Sequence, residues 1–416
     1  MNYKRTVFAC YLGLVMQALV CNILAIIFVS LQHLYNLKYT HLGFLVLVNF
    51  FVQVCVDLFT AKPLEKYGFR IFTYIAPCMV VIGLILFIIT PYIFSNVIVG
   101  FTIATVIFSS AAGMLEVVLS PMIENMPLKN KDRQMAMLHS FYGWGQLLVV
   151  VITTLFIFAF GEKNWQIAVA FWLILPVVVF LAFFKAPITE LEKQNYTKET
   201  KPNIKTLYVF VAVLAIAFGG AAEVIMSQWS STFMQNAVQV PKIVGDILAV
   251  ATFAGSLALG RYMYGKFAKN INLSYLLIAG AFASFLCYIV VALVNVKWIA
   301  ILACCLSGFA VSLLWPGTIV LASSRYAIIS PMLFAVLAFG GDIGCSIGPY
   351  LVGKLADIFQ NNTWVQNWAI NNNLTVEQAS LKFSLLIGSV FALGACACQI
   401  IICIMNKRKK QLEIEQ

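Results

Sequence analysis

Along most of this chain the apolar residues do not alternate with polar ones; they run on without a break. Stretches of this kind are centred near Gln17, Phe51, Val81, Val106, Val149, Trp172, Ala217, Phe253, Ala283, Ser307, Asp342 and Leu393. Each is long enough to cross a bilayer as a helix, which takes roughly 20 apolar residues. Short alternating strands of the barrel type are absent from the pattern. The runs therefore predict helices, which satisfy their own backbone hydrogen bonds in lipid. The expected fold class is an all-α membrane protein with twelve transmembrane helices in two six-helix bundles.

Composition supports this. The chain is 62% hydrophobic and 10% charged, with a mean hydropathy of +0.93, where a soluble domain is about half apolar and a quarter charged. A net charge of +11 raises the question of nucleic acid, and its distribution answers it. With a cytoplasmic N-terminus and alternating spans, only Lys38, Lys163, Lys242, Lys297, Lys354 and Lys382 of the 27 Lys and Arg fall outside or near outer helix ends. That is the positive-inside pattern. It predicts a multi-pass protein of the plasma membrane with both termini cytoplasmic, the bilayer as partner and no nucleic acid. The apolar run after Arg5 is too long for a cleavable signal and reads as helix 1. The eleven cysteines lie in predicted helices without metal-ligand spacing or an outer-loop pair, so they read as packing residues. No metal site and no cofactor are expected. Asn361-Asn362-Thr363 and Asn373-Leu374-Thr375 match glycosylation sequons in an outer loop.

One polar connection is longer than the rest. Residues 186–205 carry charge and two prolines, Pro187 and Pro202. They divide the chain into an N-terminal bundle (1–185), a cytoplasmic linker (186–205) and a C-terminal bundle (206–416) with a short basic tail. The halves echo each other. Asp57, Gly68 and Arg70 mark a tight basic turn after helix 2, and Gly260 and Arg261 mark another after helix 8. On these residues the chain resembles the major facilitator superfamily. The helix 2–3 motif is degenerate here, with Gln53 where the family has a glycine. The resemblance implies a cytoplasmic gate of Asp57, Gly68, Arg70 and Arg261. An acid at Asp57 can face the partly positive N-terminus of helix 11, near Pro331. The other reading is a basic loop that only sets topology. His139, near the inner end of helix 5, joins the gate or serves as a cap.

Carboxylates inside apolar spans are rare and costly, and most serve function. Three stand out: Glu116 on helix 4, Glu223 on helix 7 and Asp342 on helix 11. In transporters built from three-helix repeats, solutes bind near the midplane between repeats. Helices 1, 4, 7 and 10 open the four triplets. They bring Gln17, Asn22, Glu116, Glu223 and Trp315 toward one cavity, with Tyr142, Trp144, Gln146 and Trp229 as further lining. Acids and amides suit hydroxyls, and flat rings suit the C–H faces of a sugar. Gly219 and Gly220 would loosen helix 7 ahead of Glu223 and let a neighbour approach. Each residue also has a plainer reading: the acids as hydrogen-bonded packing groups, Trp229 as an interfacial anchor.

The strings Gly113–Glu116, His139–Gly145, Ala221–Trp229 and Gly340–Pro349 look like the fucose permease and related sugar-permease branch of the superfamily. The branch has acids at the positions of Glu116 and Glu223. It also has an acid on helix 1, where this chain offers only Gln17 and Asn22. The class carries over; the sugar does not.

The expected function is a secondary active transporter. It would move a small polar solute, a sugar first of all, by proton-coupled symport, with sodium as the other candidate ion. Glu116, Glu223 or Asp342 would take the proton or the solute. The alternatives are a proton-antiport exporter of amphipathic compounds and a transport-dead solute sensor. A membrane enzyme is not expected, because the chain has no HExxH, no GxSxG turn and no phosphate-cradling loop with Lys.

Overall fold

The computed structural model describes residues 3–128, 131–188, 206–267, 272–323 and 331–414. Among them every regular element is helical. Twelve helices have the length and hydropathy to span a membrane. Numbered α1–α12, they are Lys4–Tyr35, Tyr39–Thr60, Phe69–Ile93, Val97–Asn125, Met137–Phe160, Glu162–Phe183, Leu207–Ala237, Lys242–Phe267, Leu273–Leu293, Lys297–Ala322, Val336–Gln360 and Val376–Arg408. Most of the expected linker, residues 189–205, lies outside the described residues.

The chain forms two compact units. The first comprises Met1–Asn195 and Pro241–Gly255, the second Tyr196–Val240 and Ser256–Gln416. In the first, small residues set the helix approaches. A Cβ on Gly83 would lie 2.8 Å from Phe108, and one on Gly145 would lie 2.9 Å from the Val15 backbone. The helix of α2 continues past the span to Tyr67, and its junction with α3 is a single residue, Gly68, at φ 72, a conformation open to glycine. The C-terminal carbonyls of α6, which have no partner within their own helix, receive cations. Arg5 donates to Leu181, Ala182 and Phe184 oxygens at 3.0, 3.1 and 2.7 Å. Arg70 donates to Ala186 O at 3.0 Å.

In the second unit α7 and α11 meet backbone to backbone. A Cβ on Gly344 would sit 1.9 Å from the Ala217 carbonyl oxygen, and Gly340 and Gly348 face Val213 and Ala221 in the same register. The i, i+4, i+8 spacing on both helices is the small-residue seam that lets helices approach closely in lipid. Here α10 breaks. Its helix stops at Val311 and resumes at Leu314, just ahead of Pro316, which has no N–H to give the Ser312 carbonyl.

Candidate functional site

Glu116 lies in the central part of α4 in the first unit. Gln17 Nε2, from α1, donates to its Oε2 at 3.1 Å. Asp57, from α2, brings a carboxylate oxygen within 4.8 Å of one from Glu116. The lack of a side chain at Gly113 makes this possible: a Cβ there would lie 3.0 Å from Asp57 Oδ1. The sequence separated these two acids, one at a gate and one at the midplane; the fold puts them side by side. Gln53, at the position where the motif has glycine, donates to Asn49 Oδ1 at 2.7 Å, and Asn49 donates to Val20 O at 2.8 Å. The odd residue of the motif thus ties α2 to α1.

Asn22 donates to Ala18 O at 2.9 Å and to Tyr142 Oη at 3.5 Å. Gln146, one turn beyond Tyr142, is buried on the same face of α5. Trp144 is on the other face. It is half exposed and continues a stripe with Met137, Leu148 and Leu155 at helical spacing, all exposed. That stripe has the character of a lipid-facing surface, so the structure sets Trp144 apart from Asn22 and Tyr142. His139 is exposed near the start of α5.

In the second unit Glu223 sits close to the middle of α7. Arg261, from α8, reaches both of its carboxylate oxygens with Nη2, each at 3.1 Å. Arg261 Nε donates to Ser312 O at 3.0 Å, the carbonyl that Pro316 cannot serve. Glu223 and Arg261 side chains retain 14% and 18% exposure, so the pair is largely but not wholly buried. The sequence placed Arg261 in a gate turn; the fold makes it the counter-cation of Glu223. Trp315 packs where α7 and α11 cross, against Gly220 and Gly341. Trp229 is 1% exposed, and its Nε1 donates to Pro349 O at 3.0 Å, so it bridges α7 to α11. Asp342 is buried, at 6% exposure.

The sequence reading missed the partners of two cations. Lys242 pairs with Asp246 at 3.0 Å and donates to Ile26 O at 2.7 Å. Thr154 donates to Asp246 at 2.9 Å. The i, i+4 spacing of Lys242 and Asp246 at the start of an apolar run was the available signal. Lys382, 3% exposed, donates to Ala292 O at 3.2 Å, near the C-terminus of α9.

A sequence model for the Major Facilitator Superfamily matches residues 10–349. The chain belongs to that superfamily. No curated protein sequence matches it. Solved structures of superfamily transporters share the fold. A bacterial homologue of the human lysosomal transporter Spinster, in an inward-facing and occupied conformation, is 14% identical over 97% of both chains, with a TM-score of 0.74. A D-xylose–proton symporter is 14% identical over 94% of this chain and 97% of its own, TM-score 0.75. The Escherichia coli fucose–proton symporter is 12% identical over 97% and 99%, TM-score 0.62. The superfamily consists of membrane transporters, and the twelve apolar helices make this chain a multi-pass membrane protein.

Proposed function

We propose that the protein is a secondary active transporter that moves a small polar solute, a sugar first of all, by proton-coupled symport with alternating access. One observation carries this reading. Each unit holds a glutamate in the interior of an apolar helix, bonded to a polar partner rather than left in lipid: Glu116 to Gln17, and Glu223 to Arg261. Such groups are retained at a cost that transport of a proton or solute explains. In this reading Glu116, Glu223 and Asp342 take the proton or the solute. Gln17, Asn22, Tyr142, Gln146 and Trp315 line the path. Asp57, Gly68 and Arg70 work at the cytoplasmic gate. The bundles 1–185 and 206–416, joined by a cytoplasmic linker at 186–205, rock around a midplane site, with both termini in the cytoplasm. Two fold neighbours named as sugar–proton symporters are consistent with it.

The test is uptake of a labelled monosaccharide panel into proteoliposomes, with and without an inward proton gradient. Gradient-dependent accumulation supports the symporter. No flux under proton or sodium gradients, together with efflux of amphipathic cations, would replace it with the exporter. Binding without flux would replace it with the sensor.

A further inference from the structure

The charge balance of the Glu223–Arg261 pair bears on the kind of solute that can use it. Arg261 spends Nη2 on Glu223 and Nε on Ser312 O. No bond from Nη1 is found among the described residues. A guanidinium with a free edge and partial exposure is a receptor for an oxygen acid, which it holds better than it holds a neutral hydroxyl. Charged or titratable groups on the neighbouring helices include Tyr288 on α9, Cys304 on α10, Asp342 and Cys345 on α11, and Lys382 on α12. Tyr288 is committed to Ala222 O at 2.6 Å, and Lys382 to Ala292 O. Among the described residues only Arg261 pairs with Glu223.

Protonating Glu223 for a neutral sugar would strand Arg261 as an uncompensated charge within a membrane span, which is strongly unfavourable. An anionic solute removes that cost. Its carboxylate takes the place of the Glu223 carboxylate on Arg261, and Glu223 takes one proton. The pair starts with charges of +1 and −1, gains one proton and one anion, and ends as a neutral acid beside an Arg–carboxylate pair. Charge balances at every stage.

We propose that Arg261 is the solute-binding cation of this site and that the solute is a small monocarboxylate, such as a sugar acid, carried electroneutrally with one proton on Glu223. The inference rests on the symporter reading above and narrows its substrate class.

The experiment is binding to the purified full-length protein of D-glucuronate, D-gluconate, L-lactate and neutral D-glucose, at pH 5.5 and pH 8. The wild type should bind at least one of the acids more than tenfold tighter at pH 5.5 than at pH 8, and glucose weakly at both. Glu223→Gln, which leaves Arg261 free, should bind that acid tightly at both pH values. Arg261→Gln should lose it, and the Arg261→Gln/Glu223→Gln double variant, with no stranded charge, serves as the folded control. The idea is overturned if Glu223→Gln binds none of the acids, if wild-type binding does not depend on pH, or if glucose binds as well as the acids. Proton-driven uptake of a neutral hexose that survives Arg261→Gln would sink this inference and leave the symporter standing. Absence of any gradient-driven uptake would remove the symporter itself.

Discussion

Each unit carries one glutamate in the interior of an apolar helix, and the two are held by different chemistry. Glu223 faces a cation, which also caps the carbonyl exposed by Pro316. Glu116 takes a neutral amide hydrogen bond and has a second carboxylate, Asp57, within 4.8 Å. No cation pairs with Glu116 among the described residues. Two ionised carboxylates at that distance repel by about 3 kcal/mol at an effective dielectric of about 20. The first unit's acid therefore sits in a site that disfavours two negative charges, and the second unit's acid in one that is already balanced. Similar residues in similar spans thus sit in different electrostatic surroundings, one beside a second acid and the other beside a cation.

Substitutions can break that contrast. Arg261→Ala should have the largest effect, because it leaves Glu223 without its counter-charge and Ser312 O without a donor. Breaking a buried pair costs about 3–5 kcal/mol, read as loss of unfolding stability in detergent. Replacing both partners, Glu223→Gln with Arg261→Gln, should recover about half of that loss, since no charge is then stranded. A double variant no more stable than Arg261→Ala would mean that Arg261 matters for packing rather than charge. Gln17→Leu should cost only about 1 kcal/mol, the worth of a single hydrogen bond; a loss equal to that of Arg261→Ala would erase the contrast between the two acids. Asp57→Asn should change stability least, by under about 0.5 kcal/mol as the loss of repulsion offsets lost contacts. It should slow transport with little change in solute affinity. A large affinity loss would mean that Asp57 touches the solute.

The membrane spans were legible in the sequence because uninterrupted apolar runs have few other physical solutions. The acids were legible too, because a carboxylate inside such a run is conspicuous. Their partners were not. Arg261 looked like a loop residue, and its pairing with Glu223, 38 residues away, depends on the rotational phase of α8 and on the break in α10. The closeness of Asp57 to Glu116 depends on the missing side chain at Gly113, one glycine among 25. Trp144 could have been placed from the sequence, since Met137, Leu148 and Leu155 mark its stripe. Trp229 could not, because nothing local shows that its indole meets the Pro349 carbonyl.

The most direct test of proton coupling is solute-driven proton movement in proteoliposomes loaded with a pH-sensitive dye, using whichever solute the uptake panel identifies. The account predicts proton entry that starts on solute addition in the wild type and is abolished in Glu223→Gln. Proton entry that persists unchanged in Glu223→Gln would contradict it.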